Sequence, residues 1–262
     1  MHGLAGRAVA ITGASAGIGA ACAEALARER AAVALSARRT DRLGEIAARV
    51  AAAGGRAEIV PGDVTRRADM DALVTRAMSA FGRLDAIVCN AGIGFHGAID
   101  DTPEDVMRRL MDVNFMGTFN AIEAALPVFR RQGSGHILIV SSIVGKRGIG
   151  FTSAYSATKA AQVGLAEGLR AELHGTGIHV SVIIPVSTRT EFHDAMKRDF
   201  GHAVSGLGPK QDAADVARSV AACLQRPRAE VYPHAMSRGL VILNAIAPGL
   251  TDRLVQKYGR RR

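Results

Sequence analysis

The chain of 262 residues has few cysteines and no apolar run long enough to cross a membrane. Its three cysteines, Cys22, Cys89 and Cys223, lack metal-like spacing, and an odd, low count excludes a disulfide framework and suits a reducing compartment. No segment reaches the ~18 apolar residues of a membrane-spanning helix. Met1–Leu4 leads almost directly into an apolar strand pattern, without the basic and apolar regions of a signal peptide. These absences predict a cytoplasmic protein.

Acidic residues are also scarce at the carboxyl end of the chain. Residues 231–262 hold six Arg and Lys residues and one Asp, a net charge of +5, whereas residues 1–230 carry only +4 of the total of +9. A nucleic-acid-binding protein more often carries its excess charge across a folded face, so this placement argues against a nucleic-acid partner. The eight histidines show no metal-site spacing of the H-E-x-x-H type, and we expect no metal.

Short apolar runs alternate with longer helical patterns along the chain. The runs are Ala8–Ile11, Ala32–Leu35, Ala57–Val60, Ala86–Val88, His136–Val140 and His179–Ile184, and the helical patterns include Gly17–Arg30, Arg39–Ala53, Arg67–Phe81, Pro103–Arg131 and Ser153–His174. Continuous apolar strands are typical of a sheet buried on both faces. The pattern predicts one α/β domain over residues 1–262, a doubly wound parallel β-sheet of Rossmann type with helices on both faces.

Two segments depart from this alternation. Residues 187–210 contain Gly201, Gly206, Gly208 and Pro209, which indicates a mobile insertion placed to cover a ligand beyond the sixth strand. Residues 231–262 form an apolar and basic tail. Within it, Gly239–Ala247 is too short to span a bilayer. The tail either packs on the body or a partner subunit, or attaches peripherally to an anionic membrane.

A glycine-rich turn, Thr12–Gly19, follows the first strand and opens the first helix. Such a turn lets the backbone approach a pyrophosphate closely and offer N–H groups at a helix N-terminus. The spacing is G-x-x-x-G-x-G rather than the common G-x-G-x-x-G. This turn resembles the cofactor turn of the short-chain dehydrogenase/reductase family. Further motifs of the family follow in its order over about residues 7–192: Asp63-Val64, Asn90-Ala91-Gly92, Asn114, Ser142, Tyr155-Ser156-Ala157-Thr158-Lys159 and Pro185.

The second strand ends before Ser36-Ala37-Arg38-Arg39, with no acid until Asp41. In a dinucleotide-binding fold an acid at this place binds the free ribose 2′-hydroxyl, whereas an arginine accommodates a 2′-phosphate. Arg38 is therefore predicted to bind the phosphate of NADP(H), Arg39 to stack on adenine and Ser15 to add a hydroxyl. NAD(H) is the alternative cofactor.

Tyr155 and Lys159 are four residues apart and share one helical face. A nearby ammonium would lower the phenol pKa from about 10 and make Tyr155 an acid or base for carbonyl and alcohol chemistry.

The resemblance implies roles for the remaining site residues. Ser142, with its neighbour Ser141 as the competing choice, would bind the substrate oxygen; Asn114 would hold a water near Lys159, and Lys159 would also bind the nicotinamide ribose. The cofactor-binding set implied in this way is Gly13, Ser15, Gly17, Ile18, Gly19, Arg38, Arg39, Asp63, Val64, Asn90, Ala91, Gly92, Tyr155, Lys159, Pro185 and Thr190. The family usually has glycine after Pro185; Val186 cannot easily take a positive φ, so the backbone there is expected to differ.

Mostly apolar residues follow the fourth, fifth and sixth strands and are expected to surround the substrate: Ile93, Phe95, His96, Ile143, Val144, Ile149, Phe151, Val186 and Phe192. Lys146 and Arg147 either belong to a solvated loop or meet an anionic group of the substrate. The sequence thus predicts an NADP(H)-dependent oxidoreductase acting on a hydrophobic carbonyl or alcohol. An NAD-linked alcohol dehydrogenase and a catalytically silent, cofactor-binding regulatory protein are the alternatives.

The resemblance also implies a homodimer or homotetramer, in which the helices Pro103–Arg131 and Ser153–His174 pair across a two-fold axis. Small apolar residues on these helices are the expected contacts: Ala121, Ala124, Ala125, Ala160, Ala161 and Ala166.

Overall fold

A computed structural model describes residues 3–201 and 210–256 of the chain. Its centre is a seven-stranded, entirely parallel sheet with the order β3-β2-β1-β4-β5-β6-β9. A second, two-stranded parallel sheet pairs β7 with β8. The strands are β1 Ala8–Thr12, β2 Ala32–Ala37, β3 Arg56–Pro61, β4 Ala86–Cys89, β5 Gly135–Val140, β6 Ile178–Ile183, β7 Thr188–Arg189, β8 Gln211–Asp212 and β9 Glu230–Val231.

Helices connect the strands and cover both faces of the large sheet. They are α1 Gly17–Arg28, α2 Thr40–Ala52, α3 Arg67–Phe81, α4 Glu104–Leu110, α5 Gly117–Gln132, α6 Ser153–Glu172, α7 Phe192–Phe200, α8 Ala213–Gln225, α9 Ala235–Ile246 and α10 Pro248–Val255. The strand order turns around between β1 and β4, which is where doubly wound folds bind ligands, beyond the carboxyl ends of the strands.

The predicted fold class, a single Rossmann-type α/β domain, is confirmed. Strands β1, β4 and β5 are buried along their whole length, because apolar side chains on both faces pack under helices. One core lies between the sheet and α1, α2 and α8, and the other lies between the sheet and α3, α5 and α6.

Several elements differ from the sequence prediction. The single helix expected over Pro103–Arg131 consists of α4, a π-helical segment Met111–Met116 and α5, in direct succession. Helix α8 and edge strand β9 were not predicted. Strand β9 has only two residues and no apolar run, and it is recognised through its pairing with β6.

The proposed interface alanines also need correction. Ala121, Ala124, Ala125 and Ala166 are buried in the core beneath the sheet, so they are not available to a partner. Ala160 is exposed and Ala161 is half-buried on α6, so both stay candidates, and the outward side of α6 also carries Ala157, Gly164 and Gly168. Two further exposed apolar residues, Met116 and Phe119, lie where the π-helical segment passes into α5.

The insertion and the tail are partly regular. Residues 187–201 contain β7 and α7, whereas Gly206, Gly208 and Pro209 lie outside the described residues. In the tail, α9 ends and α10 begins around Pro248, where the sequence predicts an interruption. Within residues 3–201 and 210–256, no helix combines the length and the apolarity needed to cross a membrane.

The outward face of α9 is unusually apolar. Met236 and Ile246 are 81% and 78% exposed, and Ile242 is half exposed, while the buried Ser237 faces inward. Leu250 and Leu254 continue the exposed apolar surface on α10.

Candidate active site

A cavity of about 430 Å³ opens at the carboxyl ends of the central strands. The structure brings nearly all of the predicted site residues to its wall, although they are spread over residues 13–190. Two of them do not reach the cavity. Gly19 lies behind the turn, packed against the carbonyl of Gly13, and Asn114 lies wholly buried beneath Lys159 and Gly92.

The glycine-rich turn adopts a backbone that other residues would resist. Gly13 and Gly17 have φ values of +65° and +55°. A Cβ atom at Gly13 would lie only 2.8 Å from Cα of Ala91. Helix α1 begins without a side-chain cap, since its N-cap residue is Ala16. Its first N–H groups are therefore available to an anion in the cavity.

The turn is tied to the end of β4 by a set of hydrogen bonds. Oγ1 of Thr12 accepts from the backbone N–H groups of Asn90 (3.0 Å) and Ala91 (3.1 Å). Nδ2 of Asn90 donates in return to the carbonyls of Thr12 (3.0 Å) and Gly13 (3.2 Å). The amide of Asn90 thus braces the turn from behind.

Beyond β2, a cluster of cations surrounds one carboxylate. Arg39 (3.1 Å) and Arg42 (2.7 Å) both pair with Glu191, and Arg39 also donates to Oγ of Ser15 at 3.4 Å. Arg38 lies apart from this cluster, with Nη1 4.0 Å from a carboxylate oxygen of Asp63. The sequence analysis did not identify Arg42 or Glu191. Arg42 could have been found, since it lies three residues after Arg39 at the start of α2.

Asp63 and Val64 lie at the cavity wall after β3. The carboxylate of Asp63 accepts from the backbone N–H (3.0 Å) and the hydroxyl (2.9 Å) of Thr65, which closes the turn into α3. The carbonyl of Val64 accepts from Nδ2 of Asn120 at 2.9 Å. Both residues are held in place from outside the cavity.

At the other end of the cavity, Tyr155 lies next to Ser142. Tyr155 sits in the first turn of α6, and Ser142 follows β5 and caps a 3₁₀ turn over Ile143–Gly145. A hydrogen bond with Ser142 acts to lower the pKa of Tyr155, but burial acts more strongly and keeps that pKa above its ordinary value. The expectation that Lys159 makes the phenol more acidic is therefore not met in the protein alone. The pKa of Lys159 is itself lowered by burial to about 7.

The two serine candidates have different surroundings. The hydroxyl of Ser141 is buried and donates to the backbone carbonyl of Lys159 at 2.9 Å. The hydroxyl of Ser142 accepts only weakly from the backbone of Val144, at 3.3 Å, and is partly exposed toward the cavity. Ser142, rather than Ser141, is the hydroxyl that a molecule in the cavity can reach.

Lys159 is fixed by neutral acceptors. Its Nζ donates to the carbonyl of Val140 at 3.0 Å and to Oε1 of Gln162 at 3.1 Å. Its Nζ also lies 5.8 Å from the centre of the Tyr155 ring. Gln162 was missed by the sequence analysis, although its spacing of three residues from Lys159 places it on the same helical side.

Around Pro185 the backbone is ordinary. The carbonyl of Pro185 accepts from the backbone of Ile143 at 2.9 Å. Among the described residues other than glycine, only Arg30 and Phe151 have a positive φ, so Val186 adopts a standard conformation. Thr190 packs against the turn, since a Cβ atom at Gly17 would meet its side chain at 3.1 Å.

The substrate side of the cavity is mainly apolar. The expected lining residues reach it except Phe151, whose ring stacks on His96 with centroids 5.8 Å apart. Helix α7 adds Met196, and its Phe192 ring lies 5.9 Å from that of Tyr155. The sequence had not predicted a helix here.

Lys146 and Arg147 do not line the cavity. Lys146 pairs with Glu230 and, at 3.6 Å, with Glu167, and Arg147 pairs with Asp252 of α10. These cations connect the loop after β5 to the carboxyl-terminal elements, so the substrate-binding alternative is not supported.

Comparison with known proteins agrees with this geometry. The sequence profile of the family described as short chain dehydrogenase matches residues 7–200. Dehydrogenase/reductase SDR family member 7B of Bos taurus is 34% identical, over 97% of this chain and 81% of that protein. Ketoacyl reductase HetN of a Nostoc strain is 29% identical, over 99% of this chain and 91% of that protein.

Two solved structures of dehydrogenases have the same fold over most of this chain. A short-chain dehydrogenase/reductase from Burkholderia phymatum, in complex with NAD, superposes with a TM-score of 0.87 over 95% of this chain and 96% of that one, at 26% identity. An alcohol dehydrogenase from Thermococcus sibiricus, complexed with 5-hydroxy-NADP, has a TM-score of 0.76 over 86% and 95%, at 28% identity.

Proposed function

The chain belongs to the short-chain dehydrogenase/reductase family of oxidoreductases, and we propose that it is an NADP(H)-dependent member that reduces or forms a carbonyl group on a hydrophobic small molecule. The observation that carries this proposal is that Ser142, Tyr155 and Lys159 share one cavity with the glycine-rich turn. A reacting carbon in this cavity would face a proton donor on one side and the cofactor on the other.

The residues present fit a dinucleotide. The uncapped start of α1 and the close approach at Gly13 suit a pyrophosphate. The carboxylate of Glu191 pairs with Arg39 and Arg42, and Arg39 also bonds Ser15, so these groups would suit the charge of a 2′-phosphate. Arg38 lies at the cavity wall, apart from this cluster, and would supply a further guanidinium.

The nicotinamide supplies the hydride chemistry when it is bound, so no side-chain nucleophile or metal is required. Ser142 would donate a hydrogen bond to the substrate oxygen. Tyr155 would exchange the proton at that oxygen. Because burial favours the neutral phenol, the protein on its own holds Tyr155 in the form that donates a proton.

The cavity wall supports a hydrophobic substrate. Ile93, Phe95, Ile143, Val144 and Phe192 make it apolar, which suits a hydrophobic ketone or aldehyde. The related ketoacyl reductase from Nostoc makes ketones with an acyl chain a reasonable first group to test.

The proposal is tested by following the consumption of NADPH and NADH with a panel of aliphatic, cyclic and acyl-chain ketones and aldehydes. We expect turnover with hydrophobic members and a higher kcat/KM with NADPH. Equal kcat/KM values for the two cofactors would favour the NAD-linked alternative, and cofactor binding without any turnover would favour a regulatory protein.

We also propose that two outward surfaces have partners. The face formed by Met116, Phe119 and the small outward residues of α6 suits a second copy of the chain. The apolar surface of α9 and α10 lies beside exposed cations, Arg238 and Arg253, in a tail of net charge +5. An isologous contact would bring this charge against itself, so the surface suits an anionic membrane better than a second copy.

A further inference from the structure

Beneath the catalytic helix face, the side chain of Gln162 is completely buried and joins Lys159 to the π-helical segment. Its Oε1 accepts from Nζ of Lys159 at 3.1 Å. Its Nε2 donates to the backbone carbonyl of Asn114 at 2.8 Å and to Oγ1 of Thr118 at 2.7 Å. A buried carboxamide with all of these partners is a rigid link between α6 and the neighbouring helix.

The orientation of this amide is determined by its partners. The carbonyl of Asn114 can only accept a hydrogen bond, and an ammonium at Lys159 can only donate one. Turning the amide over would place Nε2 of Gln162 against the Lys159 ammonium, a donor against a donor. It would also place Oε1 against the Asn114 carbonyl, an acceptor against an acceptor. Oε1 of Gln162 must therefore face Lys159.

The same contacts leave no free lone pair on the Asn114 carbonyl. It accepts from Nε2 of Gln162 and, also at 2.8 Å, from Oγ1 of Thr118. The family resemblance implies a water held by Asn114 near Lys159. In this chain the Gln162 side chain connects the same two groups directly.

We propose that Gln162 is a positioning residue that holds Lys159 as an ammonium at the cavity and links it directly to Asn114. The proposal rests on the proposed function, in which Lys159 acts beside Tyr155. Tyr155 is the titratable group facing Lys159; Val140, Gly92 and Asn114 contribute only neutral groups. With two of the three ammonium protons held by Val140 and Gln162, one remains for a molecule in the cavity, whose wall Lys159 reaches.

An amide accepts and donates hydrogen bonds, but it does not release a proton near neutral pH. A proton therefore cannot pass from Lys159 through Gln162 toward the protein interior. The proton that Tyr155 loses in carbonyl reduction must return from the cavity side.

The test compares Gln162→Met and Gln162→Glu with the parent chain. Methionine has a similar length but no acceptor of comparable strength, so the titration midpoint of Lys159 should fall by about one pH unit or more, the effect of losing a hydrogen bond to a charged group. Glutamate adds a negative charge, so the midpoint should rise. The matched control is Thr118→Val, which removes a hydrogen bond from the same network but leaves the contacts of Lys159 in place. The titration midpoint of Lys159 in this variant should equal that of the parent chain.

The midpoint is measured on the cofactor-free protein by competitive acylation of lysine amines at different pH values, with Lys159 read by peptide mass spectrometry. The pH profile of kcat/KM with an active ketone and NADPH is the second readout. Its high-pH limb should move in opposite directions in the two variants, and kcat/KM of Gln162→Met near neutral pH should be roughly tenfold lower.

A Lys159 midpoint that stays at the parent value in both variants, or that moves equally in Thr118→Val, overturns the proposal. If Gln162→Met does not fold, the Lys159 midpoint in Gln162→Glu is the deciding measurement. A rise supports the proposal, and no rise overturns it. A chain without turnover would contradict the proposed function, but the labelling experiment would still report on Gln162.

Discussion

Tyr155 is the residue on which the proposed chemistry depends most directly. It lies beside Ser142 and Phe192, and its phenol is kept neutral by burial. We expect Tyr155→Phe to reduce turnover by about 10²–10⁴-fold, the usual contribution of a general acid, while NADPH still binds because the ring is retained. Steady-state rates measure the turnover, and fluorescence titrations with NADPH measure the binding of the cofactor. Activity within about threefold of the parent would remove Tyr155 from this role.

Arg38 and Glu191 affect the choice of cofactor in opposite ways. Arg38→Asp removes a phosphate partner and should weaken NADPH binding by on the order of 1.5–3 kcal/mol, while NADH binding is retained or improved. The test is to measure the dissociation constants of NADPH and NADH for the parent chain and for Arg38→Asp at constant salt. An unmodified chain that binds both equally would contradict the predicted preference.

Glu191→Gln should have the reverse effect, since its carboxylate occupies the site of Arg39 and Arg42. We expect NADPH to bind up to about fivefold more tightly, because an exposed ion pair is worth little. Glu45→Gln is the matched control, as Glu45 pairs with Arg42 but not with Arg39. An equal gain in both variants would point to general charge rather than to competition at this site.

At the scale of elements, strand β5 contains a buried histidine. His136 bonds through Nε2 to Ser181 of β6 at 2.7 Å, and burial, with neighbouring His179 and Arg7, lowers its pKa to about 3. In the unfolded chain His136 binds a proton below about pH 6.5, whereas in the folded chain it stays neutral until the pH approaches about 3. Stability is therefore full above about pH 6.5 and is lost as the pH falls from there toward 3.

We expect His136→Gln to reduce this acid sensitivity by up to about 1.4 kcal/mol per pH unit in the window below pH 6.5. Urea unfolding at pH 7 and pH 5 measures the difference in free energy. The exposed neighbour provides the control, His179→Gln, which should retain most of the parent slope. Identical slopes for the parent and His136→Gln would assign the acid sensitivity to other groups.

At the scale of the whole molecule, the surface of α5 and α6 determines the expected assembly. We predict a homodimer or homotetramer that is weakened by Phe119→Glu, because a charge would be buried in the contact. Ile99→Glu is the control, as Ile99 is also exposed but belongs to the loop before α4 rather than to these helices. Light scattering of the parent that finds only a 27.4 kDa species would exclude the assembly.

The carboxyl-terminal surface is expected to bind anionic vesicles. Co-sedimentation should be strong at low salt, weaker at high salt and absent with zwitterionic lipid. Ile242→Asp with Ile246→Asp should abolish binding, whereas replacing Arg238 and Arg253 with Gln should reduce it. If the parent chain does not bind at low salt, the apolar surface must be covered by protein.

Local patterns in the sequence were sufficient to predict six of the seven strands of the large sheet and the glycine-rich turn. Six strands and the turn at Thr12–Gly19 are marked by continuous apolar runs and by glycine spacing, which reflect burial and backbone conformation within a few residues. The resemblance added Ser142, Tyr155 and Lys159, which the fold brings to one cavity.

Other features depended on contacts between distant parts of the chain. Strand β9 exists through its pairing with β6, and the choice of Ser142 over Ser141 depends on which hydroxyl the backbone of Lys159 binds. The positions of Glu191 and Gln162 likewise depend on helices that meet only in the folded chain. A sequence pattern records which face of an element is apolar, but the partner of a polar side chain is decided by tertiary packing, because the two groups are separated along the chain.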